Sequence, residues 1–491
     1  MRNTVTQALW TAKDAVNAMN GQCTGDWIAT GIAIDNRDVA AGDLFFALHG
    51  EKLDGHDFIA GAFANGAVAA VVNHIPLHFR DDTARFVVVA DTLQALRALG
   101  RAARQRSGMK AIAVTGSVGK TGTKEMLAVA LAGQGQTHAG LKSFNNHTGV
   151  PLTLARTHAG TDFGIYEMGM NHAGELSDLT TLVQPDIAII TTVAAVHTEN
   201  FADGITGVAA AKAEVFDSMK PGGTAIINRD NPFYDMLVHA AREKGIDRIY
   251  GFGRHTDAEA CLLSCIVAAN GTRVVARVMG QEVSFALRYA GEHVAMNALA
   301  VLLAVHAVGA DVQKAAQALV SVQGLPGRGS QEKIESGDPQ NPITLIDESY
   351  NASPTSMAAA FKVLALIDPG RGGRRIAILG DMLELGPDSP KMHRDLALPL
   401  RAANVDLVYT CGRLMEQLHE NLPANQRGAH RATSEELAEI VPDALAPGDV
   451  VMVKGSHGSR MDLVVEALRQ MPARRKASEQ TSTAGPAQRK N

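Results

Sequence analysis

Short runs of β-branched and other apolar residues recur along the chain, bounded by turn residues and separated by stretches whose apolar positions return at helical spacing. Between residues 111 and 228 the runs AIAVT, FGIYEM, DIAIITTV and GTAIIN are apolar on both faces, which predicts a parallel sheet covered by helices on each side. Upstream, GIAIDNRDVAAGDLFFALHGEKLDGHDF, AVAAVVNH and RFVVVA mix shorter runs with turns and predict a small N-terminal α/β domain. Downstream, GLPGRGS interrupts the pattern after an alanine-rich helix. ITLIDES, RRIAILGD, VDLVYTCG and DVVMVKGS then predict a Rossmann-like third α/β domain. The expected division is 1–105, 106–323 and 324–470, followed by a polar segment, 471–491, expected to be a disordered tail.

Composition narrows the function classes. A chain of 491 residues that is 46% hydrophobic and 20% charged has side chains for several cores, which excludes disorder as its main state. Lys and Arg total 46 against 51 for Asp and Glu, leaving no basic excess for a nucleic-acid partner. Cys23, Cys261, Cys265 and Cys411 are too sparse for a disulfide framework, and Cys261 and Cys265 lack a second ligand pair for zinc. The stretch Val294–Ala310 contains Asn297 and His306 and falls short of the roughly 20 apolar residues of a membrane span, so it reads as a buried helix. The first residues carry no basic head followed by an apolar run, so a cytoplasmic protein without membrane insertion is expected, and a monomer.

The sharpest chemical signal is AIAVTGSVGKTGTKEMLAVALA, a strand ending at Thr115, a tight loop, and a helix beginning near Lys120. Such a loop, Thr115, Gly116, Ser117, Val118, Gly119, Lys120 and Thr121, aims backbone N–H groups and a helix N-terminus at phosphate oxygens. Lys120 would neutralise the outer phosphates and the Thr121 hydroxyl would ligate Mg²⁺. Val114 stands where the longer Walker pattern has its first glycine, so this is a shorter form, TGSxGKT.

Further motifs follow in order: EMGMNHAGEL, VAAVHTENF, AAKAEVF, NRDNP, GEHVAMNALA, DESYNASP, LGDMLELG and VKGS. Together with the P-loop they resemble the Mur ligase family, ATP-dependent amide-forming enzymes of peptidoglycan synthesis, over nearly the whole chain. YNASP, GDMLELG and the segment at 35–58 are most similar to the branch that joins D-alanyl-D-alanine to UDP-N-acetylmuramoyl-tripeptide.

The resemblance implies that ATP phosphorylates a carboxylate to an acyl phosphate, which the incoming amine attacks. It also implies Mg²⁺ held by Thr121 and Glu167, a second Mg²⁺ near His197, and Lys212 as the lysine that many members carry as a carbamate. Lys120, Glu167, His197 and Lys212 would form the catalytic group. Asn297 would meet adenine, Arg328 the phosphates, and Asp347 or Glu348 the ribose, with Tyr350 and Asn351 along the nucleotide's edge. Two aspartates are usual at 347 and 348, and Glu348 departs from that. In the N-terminal domain Arg37, Phe46, Gly50, Asp54, Gly55 and His56 would meet the UDP end of the substrate, although Asn36 stands where serine is commoner. Asn145 and Asn146 would face its sugar and peptide. Asp381, Glu384, Lys454 and Ser456 would line the third domain's side of the cleft. Ligands divided among domains imply closure, with Gly324, Gly327 and Gly329 as hinges. The competing readings are another Mur-type ligase, or a P-loop ATPase that makes no amide.

Overall fold

The computed structural model describes residues 8–483 apart from 24, 51, 82–84, 142 and 197. Its central sheet has nine strands in the order 281–287, 271–278, 260–268, 248–253, 224–228, 187–190, 110–115, 163–167 and 137–139. From 248–253 onward every neighbouring pair is parallel. Alternation along each strand divides the side chains between two cores. Ile112, Val114, Ile165, Ile187 and Ile189 face the helices Lys120–Ala132 and Glu292–Ala307. Ala111, Ala113, Tyr166, Ala188 and Ile190 face Glu175–Val183 and Gly204–Ala213. Every residue from Ala298 to Val305 is buried, as a helix apolar on all sides requires.

The sheet is longer than the sequence pattern announced. Strand Ala260–Ala268 joins it parallel at Phe252–Ala260, then pairs antiparallel with Gly271–Val278, which pairs antiparallel with Gln281–Leu287. The turn between the last two is Met279–Gly280, both at positive φ (49° and 83°). That is the backbone of a two-residue type I′ hairpin, whose twist matches the strands it joins.

The N-terminal domain carries a four-stranded parallel sheet of 31–33, 43–46, 69–72 and 86–88. It shares its core with the central domain: Leu152 and Ala155 belong to the same buried cluster as Leu44, Phe46 and Leu96. Helix Thr92–Arg106 forms the junction. Within it, buried Arg104 donates to the carbonyls of Val183 (2.7 Å), Gln184 (3.0 Å) and Met109 (3.2 Å), and pairs with Asp186.

The third domain is a six-stranded sheet in the order 330–334, 343–348, 450–454, 375–380, 407–411 and 427–431, parallel except for its first pair. Its final helix, Asp462–Thr483, runs past residue 471. Over 471–483 this corrects the expected disordered tail: the polar stretch is rich in Ala, Arg, Lys, Glu and Gln, which favour helix without an apolar face. Residues 484–491 lie outside the described residues.

Candidate active site

The site forms where parallel strands of the central sheet deliver their C-terminal ends, the usual ligand crevice of an α/β sheet. Strand Lys110–Thr115 ends in the loop 116–119, and helix Lys120–Ala132 follows. Gly116 (φ 146°) and Gly119 (φ 93°) adopt backbone that side chains disfavour, and a Cβ on either would collide with Thr191 or Asn297. The loop is held from the adjacent strand's continuation. Thr191 Oγ1 donates to Val118 O (2.6 Å), Ser117 N donates to Thr192 O (2.8 Å), and Ala194 N donates to Ser117 Oγ (3.0 Å). Asn231 Nδ2 fixes that segment in turn, donating to Val193 O at 2.9 Å. Lys120 Nζ donates to Gly116 O at 2.7 Å.

Charge converges here. Burial pushes the Lys120 ammonium below its usual range; Glu167 opposes that shift and Arg328 reinforces it. Lys212 is buried on helix Gly204–Ala213, and desolvation, assisted by Lys120, holds its pKa well below the usual lysine value. Glu167, at the end of strand Phe163–Glu167, accepts from Asn145 Nδ2 at 2.8 Å through Oε1, while its buried Oε2 has no hydrogen-bond partner. Thr121 Oγ1 lies 3.1 Å from Ser143 Oγ. Asn146 is differently engaged: its Oδ1 accepts from Gly149 N (2.9 Å) and Thr148 Oγ1 (3.0 Å) at the start of helix Gly149–Ala155. His197 lies outside the described residues.

The third domain closes over this floor. Arg328 Nη2 reaches Ser143 Oγ at 3.3 Å, with its guanidinium 3.9 Å above the Tyr350 ring. Asp347 is buried and engaged by Gly327 N, Ser349 Oγ and Arg469, so its carboxylate orders the loop that presents Arg328. Glu348 pairs with Lys454 at 3.1 Å, and Lys454 Nζ also donates to Asn351 O. Asp381 Oδ1 accepts from Leu414 N and Met415 N, a capping role, and Ser456 Oγ accepts from Leu383 N at 2.9 Å. Glu384 sits at φ 63° in the same loop, whose next residue, Leu385, accepts from Thr198 Oγ1 of the central domain at 3.2 Å.

In the N-terminal domain Asp54 caps the turn Gly55–Phe58 by accepting from His56 N, and it bonds His56 Nδ1 at 2.7 Å. The His56 backbone N–H is the main cause holding the Asp54 carboxyl below the usual range. Gly55 is required by packing, because a Cβ would stand 2.6 Å from Leu48 N, and Gly50 N donates to Leu53 O. Arg37 is exposed and paired with Asp35 at 2.6 Å. Phe46 is fully buried among Trp10, Leu44 and Val71, so its ring fills the core and is not presented to a ligand.

Sequence reading missed several residues here. Ser143 and Thr191 hold the floor, as does Asn231 of the NRDNP motif, to which no role was assigned, and buried Lys124 anchors the loop before Ser143 by donating to Gly140 O at 2.6 Å. His393 fixes the GDMLELG loop by accepting from Met382 N at 2.9 Å. Small polar residues in turns give no separate signal, although Lys124 lies in the first turns of the helix that the P-loop opens.

Three family models cover the chain: the Mur ligase family catalytic domain over 29–106, the Mur ligase middle domain over 114–305, and the Mur ligase glutamate ligase domain over 332–457. A ligase of Escherichia coli, UDP-N-acetylmuramoyl-tripeptide–D-alanyl-D-alanine ligase, is 33% identical over 94% of this chain and 98% of its own length. The chain belongs to the Mur ligase family. The Rickettsia prowazekii member of the same name is 30% identical over 93% of the chain and 99% of its length. Among solved Mur ligases, the D-alanyl-D-alanyl ligase of Acinetobacter baumannii superposes with a TM-score of 0.79 at 28% identity, covering 95% of this chain and 100% of that one.

Proposed function

We infer that this Mur ligase joins D-alanyl-D-alanine to the tripeptide carboxylate of UDP-N-acetylmuramoyl-tripeptide, with ATP converted to ADP and phosphate. The observation that carries the reading is relatives bearing that activity in their names, matched nearly end to end, on a chain in which Glu167, Lys212 and Arg328 all lie within electrostatic reach of the P-loop Lys120. In chemical terms, the tripeptide carboxylate takes the γ-phosphoryl group, and the dipeptide amine then forms the amide as phosphate and a proton leave. Placement in cytoplasmic peptidoglycan precursor synthesis follows from those substrates. Among the described residues no helix is long and apolar enough to cross a membrane.

Each residue group has a task. The P-loop amides and Lys120 bind and orient the β and γ phosphates, Asn297 sits against Gly119 where the base would begin, and Arg328 supplies positive charge from above. The donors suit Mg²⁺: Glu167 offers a buried carboxylate oxygen without a partner, and Thr121 a hydroxyl. One or two protein ligands completed by phosphate oxygens and water is the usual Mg²⁺ arrangement. A bound Mg²⁺ would screen phosphate charge from the carboxylate. Lys212, held toward its neutral amine, is suited to capture carbon dioxide as a carbamate, turning a buried cation into an anion facing the same cleft. Arg37, Asp54, His56 and the 49–55 loop are assigned to the UDP end; Asn145, Lys454 and Ser456 line the route of the peptide and amine.

Phosphate release tests the reading when measured with UDP-sugar-tripeptide and D-alanyl-D-alanine together and separately, with mass detection of the pentapeptide product. Release requiring both is expected, and turnover indifferent to the dipeptide would favour a plain ATPase. The name of an Acinetobacter relative specifies a 2,6-diaminopimelate tripeptide, so the assay compares diaminopimelate and lysine acceptors.

A further inference from the structure

Two hydrogen bonds from different domains converge on the hydroxyl of Ser143: Thr121 Oγ1 lies 3.1 Å away in the P-loop helix, and Arg328 Nη2 of the third domain 3.3 Å away. The loops that bear Arg328 and Ser143 are each fixed from behind. The loop bearing Arg328 is tied by Gly327 N to Asp347 Oδ2 (3.1 Å) and Gly329 N to Asp347 O (2.8 Å). The loop bearing Ser143 is tied by Lys124 Nζ to Gly140 O before it and by Asn145 to Glu167 after it.

A hydroxyl has one hydrogen and two lone pairs. Arg328 can only donate, so it occupies one lone pair of Ser143 Oγ. For Thr121 to present its lone pairs to a cation, its own hydrogen must point away, and the second lone pair of Ser143 Oγ is the acceptor beside it. With both lone pairs engaged, the Ser143 hydrogen is left to be donated to a phosphoryl oxygen.

We propose that Ser143 is a positioning residue that couples the seating of Arg328 to the cation-ligating orientation of Thr121. The proposal rests on the assignment of nucleotide and Mg²⁺ to the P-loop made above. Docking of the third domain and binding of the Mg²⁺–nucleotide then favour each other through one hydroxyl, and the coupling is reciprocal.

The test uses the full chain and calorimetric titration with a non-hydrolysable ATP analogue, with and without Mg²⁺. Ser143 is half-buried in a loop, so alanine removes the hydroxyl without opening a core cavity. Ser143→Ala is expected to weaken binding about tenfold in Mg²⁺, the scale of a hydrogen bond to a charged group. Binding without the metal should weaken less, because only the hydrogen bond to a phosphoryl oxygen is then lost, and Ser143→Thr, which keeps the hydroxyl, should stay near the parent. Arg328→Ala should cost less affinity in the Ser143→Ala background than in the parent. Equal weakening with and without Mg²⁺, a threonine variant as weak as alanine, or additive Ser143 and Arg328 effects would each overturn the coupling. A parent that binds no analogue at all would overturn the nucleotide assignment itself, and the coupling with it.

Discussion

Asn145 Nδ2 donates to Glu167 Oε1 at 2.8 Å, leaving Glu167 Oε2 buried and without a protein donor. An unpartnered buried carboxylate oxygen costs at least about 1–3 kcal/mol, which is tolerable where a ligand supplies the missing partner. Glu167→Gln should therefore lower kcat on the order of 10²-fold or more, as the loss of a charge aimed at the reacting phosphates does elsewhere. Its melting temperature should change little, because Oε2 loses no hydrogen bond and the only cost is the charge that supports the Lys120 ammonium. Steady-state ADP release and thermal melting check the two halves separately.

Lys212 makes a pH argument with a definite sign. Its native pKa is depressed, so between that value and the ordinary 10.5 the unfolded chain holds a proton that the folded chain lacks. Its contribution to stability is complete above 10.5 and is lost as pH falls toward the native value. Lys212→Met should thus raise the melting temperature at neutral pH while abolishing ligation. Activity of the parent should drop in carbon-dioxide-free buffer and return with bicarbonate. A parent indifferent to bicarbonate would count against the carbamate.

Gly119→Ala combines a positive φ with a Cβ placed 2.7 Å from the Asn297 amide. The backbone strain alone is about 1–2 kcal/mol. Nucleotide affinity should fall by about tenfold or more, since 1.4 kcal/mol is a factor of ten. Titration with an ATP analogue reads this directly, and UDP-sugar-tripeptide binding should be unaffected.

Phe46 and His56 separate a core role from a binding role. Phe46→Ala opens a cavity in the core shared by two domains and should cost about 3–5 kcal/mol of stability. Denaturant unfolding measures that loss, and the folded fraction should keep its affinity for the UDP-sugar. His56→Ala should instead weaken UDP-sugar binding, as read by calorimetry.

Most parallel strands of the three domains were legible because runs such as IAVT and IAII are apolar on both faces and end in turn residues, whereas the parallel strands Thr137–Ala139, Arg248–Gly253 and Arg427–Arg431, short or polar, were not. The antiparallel strands at 271–287 were missed, although Gly280 marks their turn: weak alternation between long helices is a poor signal beside such runs. The P-loop was legible from Gly116, Gly119 and Lys120 because a phosphate cradle needs those residues in that order. Ser143 and Thr191 were not, since their hydroxyls act through partners 22 and 73 residues away. Phe46 shows the opposite limit: a motif marks it as a contact without telling that its central strand turns the ring into the core.

The strand Ile187–Ile190 continues past the sheet, clamping the phosphate loop through Thr191, Thr192 and Ala194 before Thr198 reaches Leu385 of the third domain. One stretch of backbone is thus the ruler between the floor and the roof of the cleft. A single residue inserted between Ala194 and Thr198 could displace the roof by up to about 3.5 Å, more than the span of a hydrogen bond. The length of this connection is therefore as much a part of the catalytic apparatus as any side chain.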